Sequence, residues 1–135
     1  MLRVEAEARK GGHMSFVNFT NHSSSKWGEI QVEAAKKYGD IIDIPFPAVD
    51  PLATKEDIST LAEKSVEEIL KASPSAVMAQ GEFTLTFAVV NMLQQKGIKC
   101  VVACTRRRTD EEVQQLAAAG LTREGMFAFM GFREY

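Results

Sequence analysis

Residues 76–87 read AVMAQGEFTLTF, and this stretch decides how the chain folds. A short apolar run, residues 76–79, stops at Gln80-Gly81-Glu82, and apolar residues then return at helical spacing. We interpret this pattern as a buried strand that turns into a helix. Gly81 suits a tight turn and the close approach of a ligand, and the N–H groups near Phe83 to Thr86 can attract an anion. This turn is therefore the first candidate for a binding site.

Segments typical of strands and helices alternate on both sides of the turn. Strands are predicted at residues 16–20, 41–46, 76–79, 98–104 and 126–135. Helices are predicted at residues 27–38, 54–70, 83–96 and 110–119. The second helix opens with the capping box Thr54-Lys55-Glu56-Asp57, and the third is apolar nearly all round, so we expect it to be well buried. The pattern predicts an α/β fold with a mainly parallel sheet of about five strands, helices on both faces and the last strand at an edge.

The composition is that of one ordinary globular domain. A chain of 135 residues that is 45% apolar and 25% charged has room for one sizeable core. A net charge of −2 argues against a general nucleic-acid coat protein. No apolar run approaches the roughly 18 to 20 residues of a membrane helix, and no secretory signal precedes the first strand. We therefore expect a cytoplasmic protein with no DNA partner and no membrane partner.

The first thirteen residues are set apart from the rest. Lys10-Gly11-Gly12-His13 before Met14 resembles a cloning scar, and can also be read as codons for a ribosome-binding sequence before a start codon. We interpret residues 1–13 as a tag, a scar or a misassigned start, and residues 14–135 as a single domain.

The sequence predicts neither a cofactor nor a metal. It contains no G-x-x-x-x-G-K-[ST] and no G-x-G-x-x-G, so binding of a nucleoside triphosphate or a dinucleotide in the usual ways is not expected. Cys100 and Cys104 lie four residues apart in a predicted strand, where they share a face but are too distant for an easy disulfide. We expect two buried thiols.

Polar residues follow three of the predicted strands. In an open parallel sheet, ligands bind beyond the carboxyl ends of the strands, at the place where the strand order reverses. If the order is 2-1-3-4, the ends of the first, third and fourth strands meet at that place. Hydroxyls, amides, a helix start and guanidinium groups are suited to phosphates and polar base edges. The predicted site contains Asn21, His22, Ser23, Ser24 and Lys26 after the first strand, Gln80, Gly81, Glu82 and Thr84 after the third, and Thr105, Arg106 and Arg107 after the fourth.

Four segments resemble those of a known family. They are Asn18-Phe19-Thr20-Asn21-His22, Gln80-Gly81-Glu82-Phe83, Ala103-Cys104-Thr105-Arg106-Arg107 and Phe132-Arg133-Glu134-Tyr135. In this order, across most of the chain after Met14, they resemble the small stand-alone CRISPR-associated proteins of type III systems. The resemblance implies a CARF-like, Rossmann-like fold. It also implies binding of a cyclic oligoadenylate such as cyclic tetra-adenylate, often with ring-nuclease cleavage that ends the antiviral signal.

Cleavage of such a ring would need no metal, because a ribose 2′-OH attacks its neighbouring phosphate. The protein must align that attack and stabilise the charge on the phosphate. Arg106, Arg107 and Lys26 could hold phosphates, and His22 could move a proton because imidazole titrates near neutrality. Glu82 could bind ribose hydroxyls or an adenine amino group, or act as the base. We predict His22, Glu82 and Arg106 as the catalytic residues, in a homodimer because the ring is larger than one such mouth.

Two other interpretations stay open. The same pocket could bind a cyclic oligoadenylate without cutting it. The chain could also be a flavodoxin-like small-molecule enzyme, or a subunit of a larger complex whose arginines serve an interface. The individual residues have structural interpretations too, with Ser23 to Ser25 as a capping loop, His22 bonded to the backbone and Glu82 paired with an arginine.

Overall fold

A computed structural model of the protein describes residues 14–135, so the interpretation of residues 1–13 lies outside the described residues. The strands are β1 (Ser15–Thr20), β2 (Asp40–Asp43), β3 (Pro74–Gln80), β4 (Lys99–Arg107) and β5 (Phe127–Glu134). The α-helices are α1 (Glu29–Lys36), α2 (Lys55–Lys71), α3 (Phe83–Gln95) and α4 (Asp110–Ala118). Short 3₁₀ turns lie at Ser24–Lys26 and Thr122–Glu124.

The five strands form one sheet in the order β2-β1-β3-β4-β5. The pairs from β2 to β4 are parallel, and β5 runs antiparallel to β4 at the edge. This confirms the prediction of an α/β fold with a mainly parallel five-stranded sheet and the last strand at an edge. The order differs from the 3-2-1-4-5-6 order of the dinucleotide-binding Rossmann fold.

Two hydrophobic clusters cover the sheet, one on each face. On one face α2 and α3 pack against alternate residues of the central strands, among them Val17 and Val77. On the other face α1 packs with Trp27 against Phe16 and Met78. The Phe16 ring lies 6.3 Å from the Trp27 ring, measured between centroids. The prediction of helices on both faces is therefore confirmed.

The first two helices start at recognisable caps. The helix predicted from residue 27 begins two residues later, because Trp27 closes a 3₁₀ turn and Gly28 is the N-cap of α1. The capping box of α2 is confirmed, since the Thr54 and Asp57 side chains each accept a hydrogen bond from the other residue's backbone N–H. No helix within residues 14–135 combines the length and the apolar character that spanning a bilayer requires.

The expectation that α3 is well buried holds for one face of the helix only. Leu85, Val89 and Leu93 are fully buried against the sheet, but Phe83 is 89% exposed and Phe87 is 73% exposed. The apolar composition of α3 thus serves two faces, one in the core and one on the surface of the single chain.

All five strands differ from their predicted bounds, and the carboxyl ends of β2 and β4 differ most, by three residues each. β4 continues three residues past Cys104, because β5 pairs with Thr105 to Arg107 after the pairing with β3 has ended. The regular part of β2 ends at Asp43. The N–H groups of Ile44 and Phe46 nevertheless donate to β1 carbonyls at 3.0 and 3.2 Å, so the proline-rich segment still follows β1.

Candidate functional site

The carboxyl ends of β1 and β3 meet at one edge of the sheet. The two strands are paired in parallel, and Thr20 lies opposite Gln80 at their last residues. The strand order reverses here, because β2 lies on one side of β1 and β3 on the other. Open α/β sheets bind ligands at such positions. The turns that follow Thr20 and Gln80 are therefore neighbours at the predicted switch point.

A buried amide holds the backbone of His22 in place. Asn18, which is 1% exposed, donates to the His22 carbonyl at 2.8 Å and to Oδ1 of Asp43 at 2.9 Å. The Thr20 hydroxyl donates to Oδ1 of Asn18 at 2.8 Å and accepts the His22 N–H at 3.1 Å. The imidazole is exposed and makes no hydrogen bond with residues 14–135. His22 is thus fixed at its main chain and free at its ring.

Asp43, at the end of β2, ties down the serines that follow His22. Its carboxylate accepts the hydroxyls of Ser24 and Ser23, at 3.0 and 3.3 Å, and the Ser24 N–H at 3.2 Å. Ser23 also caps the 3₁₀ turn, because its hydroxyl accepts the N–H of Ser25. Of these serines Ser23 is a cap, but of the 3₁₀ turn only, because α1 begins at Gly28 without a side-chain cap. Asn21 lies exposed between this loop and β1.

Glu82 is the N-cap of α3. Its carboxylate accepts the Leu85 N–H at 2.8 Å and the Thr84 hydroxyl at 2.7 Å. These hydrogen bonds, led by that of Leu85, lower the pKa of Glu82 below its ordinary value of 4.5. The helix start therefore already holds an anion, which is the carboxylate of Glu82. The Leu85 N–H is engaged by this carboxylate, contrary to the prediction that it is free to attract a ligand. An ionised Glu82 is a strong hydrogen-bond acceptor and a weak base.

Gln80 and Gly81 complete the turn through contacts inside the protein. Oε1 of Gln80 accepts the Ala103 N–H at 2.9 Å, which closes the gap where β3 and β4 separate. A Cβ on Gly81 would lie 2.5 Å from ring carbons of Phe46. The close approach predicted at Gly81 is present, but the neighbour is the Phe46 ring rather than a ligand.

The arginines at the end of β4 have partners within the chain. Arg106 forms a two-pronged ion pair with Glu112 of α4, at 2.7 and 3.0 Å. This pair lowers the pKa of Glu112 to about 2 and raises the pKa of Arg106. The guanidinium of Arg107 lies 6.0 Å from the centre of the Phe127 ring. Arg106 and Arg107 are both exposed at the surface.

The predicted site is divided between the two faces of the sheet. Lys26 and Thr105 line one cavity of about 140 Å³ on the α1 side. Thr84 lines a groove of about 680 Å³ between α2 and α3 on the opposite side. None of the four cavities described within residues 14–135 is lined by more than one of His22, Glu82 and Arg106. His22 and Glu82 lie on neighbouring turns, whereas Arg106 is drawn towards α4.

Four residues that shape this edge were not among the predicted ones. Asn18 lies inside β1 and Asp43 is the last residue of β2, and for both the available signal is a polar residue in an apolar run. Glu112 belongs to a capping box that starts at Thr109, and this T-x-x-E pattern is visible in the sequence. Glu124 had no local signal, because its partner Arg108 lies 16 residues away.

Metal and thiol chemistry have little support in the described residues. Among residues 14–135, no three His, Cys, Asp or Glu side chains are grouped so that they could hold a metal ion. Both cysteines are free thiols, but only Cys100 is buried, so the expectation of two buried thiols is wrong for Cys104, which is partly exposed. Burial raises the pKa of Cys100 to about 12, so this thiol stays protonated.

The model of the uncharacterized protein MJ1673 family matches residues 14–133 of the chain. The chain belongs to this family. The match includes all five strands except the last residue of β5, Glu134, so the MJ1673 family assignment and the five-stranded fold concern nearly the same residues. Neither a curated protein nor a solved structure was found that matches the chain.

Proposed function

We propose that this member of the MJ1673 family is a CARF-like, Rossmann-like protein that binds a cyclic oligoadenylate at the carboxyl edge of its sheet and cleaves the ring. One observation carries the proposal. At the switch point between β1 and β3, a buried network fixes the backbone of His22 while its imidazole stays free. A proton-transfer group held this way is preorganised for a ligand that lies across the edge.

The reaction is an attack of a ribose 2′-OH on the adjacent phosphorus. The 2′-oxygen forms a bond to phosphorus, the bond to the 5′-oxygen breaks, and a 2′,3′-cyclic phosphate and a 5′-hydroxyl result. His22 takes the proton of the 2′-OH or gives a proton to the leaving oxygen. The ionised Glu82 accepts a hydrogen bond from a ribose hydroxyl or an adenine amino group. Lys26 and Arg107, which make no ion pair within residues 14–135, attract the phosphates.

We further propose that two copies share one ring. Phe83 and Phe87 of α3 are 89% and 73% exposed and line the same groove between α2 and α3, and we call these two residues the apolar patch. Exposed apolar side chains of this size mark interfaces. Phe83 follows Glu82 directly. A two-fold axis beside this patch brings the Glu82 turns of both copies against the same symmetric ligand. The partner is therefore a second copy of the chain.

Sequestration without cleavage is the second candidate. Two of the three predicted catalytic residues are already bound within the protein, which favours this candidate. Glu82 caps α3, and Arg106 is paired with Glu112. In that case the edge holds the intact ring, and His22 contributes a hydrogen bond only.

The test is to incubate the protein with a panel of cyclic oligoadenylates in the presence of a chelator and to follow binding and products together. Linear products that end in a 2′,3′-cyclic phosphate support cleavage. We expect His22→Ala to lower the cleavage rate at least about 100-fold, the lower range for a general acid or base, with binding retained. The control Lys64→Ala, on the exposed side of α2, should behave as the native protein.

The outcomes separate the candidates. Tight binding with intact ring after long incubation with excess protein selects sequestration. Equal cleavage by the native protein and His22→Ala removes His22 from the mechanism. No binding of any ring in the panel rejects both candidates.

A further inference from the structure

A small cavity on the α1 side of the sheet is bounded by groups that fit an anion. It lies between the 3₁₀ turn before α1 and the extended ends of β4 and β5, with a volume of about 140 Å³. This is room for a few water molecules at about 30 Å³ each, and therefore for a phosphate group. Its lining includes Lys26, Trp27, Thr105, Arg108, Arg123 and Glu124.

The charge of this lining is strongly positive. Lys26, Arg108 and Arg123 contribute three positive charges and Glu124 contributes the one carboxylate, which leaves +2. Lys26 and Arg123 form no ion pair with any residue in the described range 14–135. Although the net charge of the protein is −2, cationic side chains are grouped around this cavity.

Arg108 is held rigidly at the wall of the cavity. Its side chain is 11% exposed, and Nη1 donates to the carbonyls of Gly125 and Phe127 at 2.8 and 2.9 Å and to the Glu124 carbonyl. The other terminal nitrogen, Nη2, faces the carboxylate of Glu124. Nη1 of the guanidinium therefore anchors the loop, and Nη2 faces an anion, which in this structure is the Glu124 carboxylate.

The carboxylate of Glu124 occupies the position beside Nη2 of Arg108 without a close contact. Its side chain is 17% exposed, yet its carboxylate accepts no hydrogen bond from residues 14–135, and the nearest cationic atom is Nη2 of Arg108 at 3.7 Å. The carboxylate packs against Gly28, where an added Cβ would lie 1.9 Å from Oε2. This half-buried carboxylate has no hydrogen-bond donor within residues 14–135, so only the long ion pair with Arg108 holds it in this position.

We propose that this cavity is an oxyanion site for a phosphate group, and that Glu124 is a built-in competitor which the phosphate displaces. The tetrahedral oxyanion takes the place of Glu124 at Nη2 of Arg108, and binds the ammonium of Lys26, the guanidinium of Arg123 and the hydroxyl of Thr105. It carries more charge and more acceptor atoms than the carboxylate, so it gains from each cation. The source is either free phosphate or a phosphodiester of a larger ligand.

The test uses Trp27 as the reporter, because it is the one tryptophan of the chain and it lines the cavity. Tryptophan fluorescence is followed during titration with sodium phosphate at pH 7, against sodium chloride at matched ionic strength. We expect a saturable change with phosphate alone. Arg123→Gln and Lys26→Gln should each raise the dissociation constant at least about threefold, and Glu124→Gln should lower it by about the same factor. Lys64→Gln is the matched control and should change nothing.

The same linear response to phosphate and chloride would overturn the proposal. So would an unchanged dissociation constant in both Arg123→Gln and Lys26→Gln, two exposed substitutions whose fold can be checked by circular dichroism.

A second arm adds cyclic tetra-adenylate. If it competes with phosphate, the site takes a phosphodiester of the ring, and if it binds without competition or does not bind, the site takes free phosphate. Because inorganic phosphate tests the cavity alone, the site can stand where the proposed function fails.

Discussion

Gly81 is glycine because the ring of Phe46 occupies the space of a side chain. Phe46 reaches this position from the proline-rich segment after β2, and its ring packs 4.8 Å from the Phe19 ring between centroids. It lies 5% exposed over the turn between β3 and α3. The Phe46 ring thus covers the Gly81 turn on the α2 and α3 side of the sheet.

We expect Gly81→Ala to lower the free energy of unfolding by about 1–3 kcal/mol, the usual cost of overpacking, because the new Cβ meets the Phe46 ring. Urea unfolding measures this. In a Phe46→Leu background the same substitution should cost less, with a coupling of at least about 0.5 kcal/mol. Additive effects of the two substitutions would show that the ring is not the obstacle.

Glu82 makes the stability of the protein depend on pH in a defined direction. Its native pKa is below 4.5 because the Leu85 N–H and the Thr84 hydroxyl bind the charged form. A group with a lowered native pKa contributes stability above its unfolded pKa, and this contribution disappears as the pH falls through the native value. We expect Glu82→Gln to lower the urea midpoint at pH 7, with the difference from the native protein vanishing in acid.

The control for this measurement is Glu63→Gln, which changes an exposed carboxylate of α2. It should leave the midpoint unchanged at both pH values. A deficit of Glu82→Gln that persists undiminished below the native pKa would contradict a role for the charged cap.

At the scale of elements, α4 is attached to the sheet mainly by polar contacts. The helix buries none of its residues. Its capping box holds Thr109 and Glu112 together, and Glu112 reaches back to Arg106 on β4 at 2.7 Å. A helix with so little apolar contact opens more easily than one packed in the core.

We expect Arg106→Gln to speed hydrogen exchange of the α4 amides several-fold, because the helix loses its link to β4, with the amides of α2 and α3 unchanged.

The ion pair of Arg106 with Glu112 also predicts a pH effect on stability. Since the pKa of Glu112 falls from 4.5 to about 2, its contribution is present above pH 4.5 and is lost as the pH falls through about 2.

The control is Lys99→Gln, which removes the ion pair of Lys99 with Glu134 at 3.5 Å on the other end of β4. It should leave exchange in α4 unchanged. If Arg106→Gln exchanged like the native protein, the ion pair would not be what holds α4.

At the scale of the whole molecule, the apolar patch is the feature that a single chain does not explain. Phe83 and Phe87 place large side chains in solvent at a groove of about 680 Å³ between α2 and α3. If two copies meet there, the exposed face of α3 becomes buried and the apolar composition of this helix is accounted for.

We expect the native protein to sediment as a dimer, and Phe83→Ser with Phe87→Ser to sediment as a monomer, because the substitutions remove the apolar area of the proposed interface. Circular dichroism checks that the fold is retained. Met130→Ser, which changes a residue of β5 that is 62% exposed, is the control and should remain a dimer. A native protein that is monomeric throughout the micromolar range would contradict the proposal.

Local patterns in the sequence were sufficient for the element order and the sheet. Helical spacing, the Thr54 capping box and the apolar runs of the strands involve residues within a few positions of each other, so they can be recognised without the fold. The turn at Gln80-Gly81-Glu82 was found for the same reason. The contacts of Gly81 with Phe46 and of Gln80 with Ala103 were not predicted, because these partners lie more than 20 residues away along the chain.

The sequence by itself determined an α/β domain, the position of its switch-point turns and the polar residues that follow the strands, because these follow from local spacing and residue type. Only the tertiary structure decided which polar groups are already used and which are free. The His22 backbone is bound by Asn18, the serine hydroxyls are bound by Asp43, and Arg106 is bound by Glu112. The physical reason is that each donor binds the acceptor that packing brings within reach, and packing joins residues that are distant along the chain.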